Sequence, residues 1–197
     1  MLAHLLTSFR LLLVVPVSLG LAQPDVFPGL WLLIFISLGI ATDYFDGIVA
    51  RLSETASPKG RLFDHSTDFL FVTGGLGGAA LAGDVPIALP ILIVCAFAQY
   101  VLDSYWMHRE KELRMSRLGR WNGILYFVPL VLISASRLDV TANSSHLWST
   151  GILLVSYGLI LSTVASIIDR AISPRQYGST THCCQLKDWF FGCALSM

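Results

Sequence analysis

The sequence predicts an all-α integral membrane bundle of six transmembrane helices with both termini in the cytoplasm. Three observations carry that expectation. The composition is more apolar than that of ordinary soluble domains, with 54% hydrophobic residues, only 13% charged residues and a mean hydropathy of +0.67. Six apolar runs follow one another, at roughly 8–22, 30–52, 60–82, 87–107, 118–136 and 147–168, each near the length that crosses a hydrocarbon core of ~30 Å. Basic residues also segregate by side: with the N-terminus inside, 12 of the 13 Lys and Arg residues fall in cytoplasmic segments and Arg137 alone falls outside.

The first run carries Arg10 near its start, continues as an apolar stretch and ends in Gly20-Leu21-Ala22, a pattern that a cleaved secretory signal also shows. An uncleaved first span is expected, because its loss would leave an odd number of spans and spoil the charge segregation. Short punctuated connections separate the runs: 23–29 with two prolines, 53–59, the Gly83-Asp84-Val85-Pro86 turn, the charged 108–117 stretch, and 137–146. None is long enough for a second domain and no repeat is visible. The expected organisation is one membrane domain over 1–170 and a cytoplasmic tail over 171–197.

Formal net charge is zero, which implies no polyanionic partner and no nucleic acid. Cys95 lies in the fourth run, and Cys183, Cys184 and Cys193 lie in the tail, where cytoplasmic thiols stay reduced, so no structural disulfide is expected. His182-Cys183-Cys184 lacks a second ligand pair at zinc spacing and reads as ordinary tail, and Trp189-Phe190-Phe191 suits a membrane surface.

Ionisable residues inside a membrane cost roughly 2.5–3.5 kcal/mol each on insertion scales, so a concentration of them marks function. The second run ends in Asp43-Tyr44-Phe45-Asp46-Gly47-Ile48-Val49-Ala50-Arg51, and the third opens with Gly60-Arg61-Leu62-Phe63-Asp64-His65-Ser66-Thr67-Asp68. At about 100° per helical residue, Asp43, Asp46, Gly47, Ala50 and Arg51 fall within an arc of about 140°, and Gly60, Asp64 and Asp68 within about 80°. The short 53–59 connection makes the two helices antiparallel neighbours, so four carboxylates converge near the cytoplasmic surface.

Like-charge repulsion among four acids demands compensating cations. Oxygen-only ligation suits Mg²⁺ or Mn²⁺ rather than zinc, and a pair of such ions ~3.5–4 Å apart is the usual arrangement for activating attacking and leaving oxygens in phosphoryl chemistry. Gly47, Ala50 and Gly60 leave room for a flat base and a pyrophosphate against the backbone, and Arg51 offers a forked donor to phosphate. By contrast, Gly74-Gly75-Leu76-Gly77-Gly78 reads as small residues that let helices pack closely.

The spaced set Asp43-x2-Asp46-Gly47-x2-Ala50-Arg51-x8-Gly60-x3-Asp64-x3-Asp68 resembles the signature of the CDP-alcohol phosphatidyltransferases, the family that includes the phosphatidylglycerophosphate synthase-like enzymes. The resemblance implies that Asp43, Asp46 and Asp64 hold two metal ions. It makes Asp68 both a neighbour of those ions and the general base, and Gly47, Ala50, Arg51 and Gly60 the receivers of the CDP moiety. It also implies phospholipid biosynthesis: transfer of a phosphatidyl group from CDP-diacylglycerol to an alcohol, with release of CMP. Location in a bacterial inner membrane, with the site facing the cytoplasm, follows. Expected partners are the donor, the acceptor, the bilayer and, as an option, a second copy of the chain. Ahead of the first span, Thr7 and Arg10 match the family's Thr and Arg, while His4 stands where Asn is usual; nucleotide contact and interfacial anchoring are both open to this segment.

An acceptor bearing its own phosphate needs nearby cations. The fourth-to-fifth connection offers Arg109, Lys111, Arg114, Arg117 and Arg120, with Gly119-Arg120 similar to a Gly-basic pair in glycerophosphate-using relatives. Those relatives carry an Arg-Glu pair in the fourth span, where this chain has Gln99-Tyr100 and Asp103. Asp103 and Asn122 are therefore candidates either for acceptor hydroxyls or for helix packing. Glycerol 3-phosphate is the first expectation for the acceptor; inositol phosphate, inositol, serine, phosphatidylglycerol, or a CDP-amino-alcohol donor are alternatives within the same chemistry. A cation transporter is the reading from another class, disfavoured because the acids cluster at one membrane side rather than at the midplane.

Overall fold

The structure is a computed structural model that describes residues 2–52, 58–102, 117–138 and 145–172. These residues form seven α-helices and no strand: α1 (Leu2–Ala22), α2 (Gly29–Leu52), α3 (Pro58–Ala82), α4 (Ala88–Leu102), α5 (Arg117–Leu125), α6 (Phe127–Ser136) and α7 (Ser145–Ile172). The fifth apolar run is thus two helices rather than one. Pro129 explains the break, since it cannot donate to the Leu125 carbonyl and its ring crowds that oxygen, so the helix is interrupted at Tyr126.

α1 begins six residues before the first apolar run. Its polar start continues the helix because the residues that face inward follow one stripe: Thr7, Arg10, Leu13, Val17 and Leu21 are all buried. Leu11, Leu12, Val15 and Leu19 point outward and are exposed, as are Leu81, Leu147, Leu154 and Leu161 elsewhere, which is the apolar exterior expected of helices solvated by lipid. The 24 residues His146–Asp169 of α7 are long and apolar enough to cross a membrane, about 36 Å at 1.5 Å per residue. The apolar parts of the remaining bundle are shorter, at Leu6–Ala22, Gly29–Phe45, Ala88–Leu102 and Trp121–Ser136.

The packing centres on α1, which contacts both α2 and α3 more extensively than those two contact each other. α1 and α3 run parallel, because Val14 meets Gly74 and Ser18 meets Gly78. A Cβ at Gly78 would run into the Ser18 carbonyl oxygen and come within 3.2 Å of the Ala22 nitrogen, so the glycine is what lets the two backbones touch. α6 lies against α2, α3 and α7, and α4 pairs with α7. Val17, Leu21, Leu32, Ile36, Phe71, Leu76, Leu89 and Leu130, contributed by α1, α2, α3, α4 and α6, form the fully buried centre.

α3 ends in a Schellman motif. The Asp84 N–H donates to the Ala79 carbonyl (3.0 Å) and the Gly83 N–H to the Ala80 carbonyl (3.2 Å), with Gly83 at φ +85. That turn delivers Asp84 to Arg137, which pairs with it at 2.7 Å and donates to the Gly20 and Leu21 carbonyls, each at 2.8 Å. The single basic residue outside the charge-rich segments therefore ties the ends of α1, α3 and α6 together.

Candidate active site

The opposite end of the bundle holds the signature segments. Both are helical in backbone throughout α2 and α3, in keeping with the arcs drawn from their spacing. Gly39 of α2 lies against Phe71 of α3. One turn toward the α2–α3 connection, Asp43 and Asp68 approach the same side chain, Arg10 of α1. The Arg10 guanidinium donates through Nη1 to Asp68 Oδ1, and its Nη2 lies 3.3 Å from Asp43 Oδ1. Two carboxylates 25 positions apart in the sequence are thereby brought to one point.

Burial differs sharply across this triad. The Arg10 side chain is 0% exposed, whereas those of Asp43 and Asp68 are 43% and 24% exposed. The cation sits behind the acids, on the bundle side, and carboxylate surface remains open in front of it. An unpaired guanidinium at that depth would be costly, and the two carboxylates offset its desolvation. The residues just before the acids are also accommodated locally: Thr42 Oγ1 donates to the Leu38 and Gly39 carbonyls (2.9 and 2.8 Å), and Thr67 Oγ1 donates to the Phe63 carbonyl (2.9 Å).

Arg10 is the residue near the signature acids whose placement the sequence left open. Its side chain turns into the bundle, in register with the buried Leu13, Val17 and Leu21 on the inward stripe of α1. The site also differs from a simple α2–α3 cleft, since α1 intervenes and supplies the shared partner. Asp46, Gly47, Ala50 and Arg51 of α2 and Gly60 and Asp64 of α3 have their side chains outside the described residues, as do Arg117 and Arg120 of α5. Asp103, Arg109, Lys111, Arg114 and the tail with His182, Cys183, Cys184 and Cys193 also lie outside them. Among the described residues, no three or more His, Cys, Asp or Glu side chains come together.

The acceptor-region candidate Asn122 has a helix-packing partner, and so does Gln99, which stands where glycerophosphate-using relatives carry the Arg-Glu pair. Gln99 Nε2 donates to the Ile167 carbonyl at 3.3 Å, joining α4 to α7. Asn122 is buried and its Oδ1 accepts from Ser162 Oγ at 2.6 Å, while the Tyr126 hydroxyl and Thr163 Oγ1 lie 2.7 Å apart one turn further on. These two polar rungs hold the broken fifth run against α7.

A family model for CDP-alcohol phosphatidyltransferase matches residues 1–170. The chain belongs to that family. Its members are membrane enzymes that transfer a phosphatidyl-type group from a CDP-alcohol in phospholipid synthesis, and the helical, outwardly apolar bundle of this phosphatidyltransferase fits that setting. The match spans α1 as well as the two signature helices, so it takes in all three elements that meet at Arg10. No curated protein and no solved structure matches the chain.

Proposed function

We propose that this phosphatidyltransferase moves the phosphatidyl group of CDP-diacylglycerol to an alcohol, glycerol 3-phosphate being the first choice, at a site facing the cytoplasm of a six-span bundle with both termini inside. The observation that carries the reading is the convergence of Asp43 and Asp68 on one buried cation with their outer faces open, in a chain of this family. The same reading makes the chain an inner-membrane protein.

Oxygen donors gathered in front of a buried positive charge suit hard divalent ions. Asp43, Asp46, Asp64 and Asp68 would hold Mg²⁺ or Mn²⁺, two ions in the full site. Bound there, the ions would supply charge neutralisation for the pyrophosphate and for the acceptor oxygen. Asp68 takes the proton of the acceptor hydroxyl. The freed oxygen attacks the phosphorus that carries the diacylglycerol, the bond from that phosphorus to the bridging oxygen breaks, and CMP departs with the electron pair. Arg51 counters the charge of the departing phosphate, and Gly47, Ala50 and Gly60 leave space for the nucleotide. Arg109, Arg117, Arg120 and Asp103 are the residues to which an acceptor phosphate and its hydroxyls are assigned.

The test is CMP release by purified protein given CDP-diacylglycerol, Mg²⁺ or Mn²⁺, and a panel of acceptors that includes glycerol 3-phosphate, inositol phosphate, inositol, serine and phosphatidylglycerol. Release with one acceptor, lost with chelator and restored by either ion, is the expected result. No CMP with any acceptor, together with ion uptake into vesicles, would replace the enzyme by a transporter.

A further inference from the structure

We propose that Arg10 is a positioning residue: a resident cation that sets the spacing of Asp43 and Asp68 from behind, so that the two signature helices present their carboxylates in register before donor or ion arrives. The inference rests on the reading of those acids given above. It assigns Arg10 a partner inside the protein rather than on the substrate.

The argument starts from the helix stripe. Thr7, Arg10, Leu13, Val17 and Leu21 occupy successive inward positions of α1, so an apolar residue would be expected at position 10 on packing grounds alone. An arginine there must be compensated, and among the described residues Asp43 and Asp68, one from each signature helix, pair with it. The guanidinium fork is rigid and planar, so it can meet two carboxylates at once; an ammonium group is a single point charge that favours one of them. The packing supplies the second strand. Because among the described residues α2 and α3 each pack on α1 more extensively than on one another, their relative register there passes through α1. Exposure supplies the third: the guanidinium is wholly buried while both acids are partly exposed, so the carboxylates rather than the cation meet whatever arrives from outside.

The test uses the full chain purified in detergent, with Mn²⁺ alone as probe, thermal unfolding in chelator, and CMP-release kinetics. Arg10→Lys keeps the charge and loses the fork. It is expected to fold, to bind Mn²⁺ about tenfold or more weakly, as groups that orient metal ligands typically do when altered, and to lose kcat while KM for CDP-diacylglycerol stays within about twofold. Arg10→Gln in chelator should lower the unfolding temperature, and adding Asp68→Asn should make the combined loss smaller than the sum of the separate ones, as coupled partners require. Unchanged Mn²⁺ affinity with raised KM for the CDP donor would overturn the proposal and make Arg10 a nucleotide ligand. Strictly additive losses would overturn the pairing itself. If the wild-type chain released no CMP with any acceptor, the weaker Mn²⁺ binding of Arg10→Lys and the coupling to Asp68 would still support the positioning role, and only the catalytic reading would fall.

Discussion

Replacing Arg137 by methionine should unfold the bundle at a markedly lower temperature without altering the chemistry of each folded molecule. Arg137 donates to the Gly20 and Leu21 carbonyls at 2.8 Å and pairs with Asp84 at 2.7 Å, with its own side chain 15% exposed. Hydrogen bonds from a charged donor contribute about 1.5–3 kcal/mol each when buried. The two carbonyls belong to the last turn of α1, where a cation also meets the negative end of the helix dipole, a further ~0.3–1 kcal/mol. Asp84 is 35% exposed, so water recovers part of what that pair loses. Allowing for the same recovery at the carbonyls, the net loss is about 2–4 kcal/mol, or roughly 5–15 °C for a chain of this size. The assay is thermal unfolding of purified protein followed by far-ultraviolet circular dichroism, with the CMP-release rate normalised to folded protein. Arg137→Lys should recover about half of the loss, since one ammonium cannot reach all three acceptors. The clamp lies about 16 Å along α1 from Arg10 at 1.5 Å per residue, so normalised activity should stay within about twofold. An unfolding temperature within a degree of wild type would show that these contacts contribute nothing, and the reasoning would fail.

The other predictions concern close backbone approach, turn geometry and the proposed base. Gly78→Ala should cost about 1–3 kcal/mol, because its Cβ meets the Ser18 carbonyl, whereas Gly77→Ala, whose Cβ meets nothing within 4 Å, should be neutral; equal unfolding temperatures for the two variants would remove the α1–α3 contact as the cause. Gly83→Ala should cost about 1–2 kcal/mol from its φ of +85, and Gly83→Asn less, as seen in the same melts. Asp68→Asn should reduce CMP release by about 10²–10⁴-fold while the far-ultraviolet spectrum stays helical; retained turnover would remove Asp68 as the base.

Much of the fold is legible in hydropathy because outward-facing and core-facing residues of these helices are both apolar, so each helix reads as one continuous run. That is why α2 at Gly29–Leu52 and α7 at Ser145–Ile172 fall within a few residues of the runs at 30–52 and 147–168. The same reasoning misses the start of α1, where Thr7 and Arg10 lower the hydropathy although their side chains turn inward and find partners. It also misses the break at Tyr126, which is steric rather than hydropathic and which Pro129 would have announced. The Gly74–Gly78 cluster was legible as a packing surface, and it is one: Gly74 and Gly78 face α1, while Gly75 meets Leu130 of α6. Asn122 could not be separated from an acceptor contact by sequence, because an amide looks the same whether it faces a ligand or Ser162 across a helix interface.

What the sequence by itself determined is which residues share a face on two helices: four aspartates at helical spacing, small residues beside them and an arginine among them, because helical neighbours three and four apart must share a face. What only the tertiary structure decided is the third helix of the site. Residue 10 is far from residues 43 and 68 along the chain, and no local pattern states which stripe of α1 turns toward which neighbour. That choice depends on how Val17 and Leu21 bury themselves and on Gly78 allowing α1 to lie directly on α3, and it sets the Arg10 guanidinium behind Asp43 and Asp68.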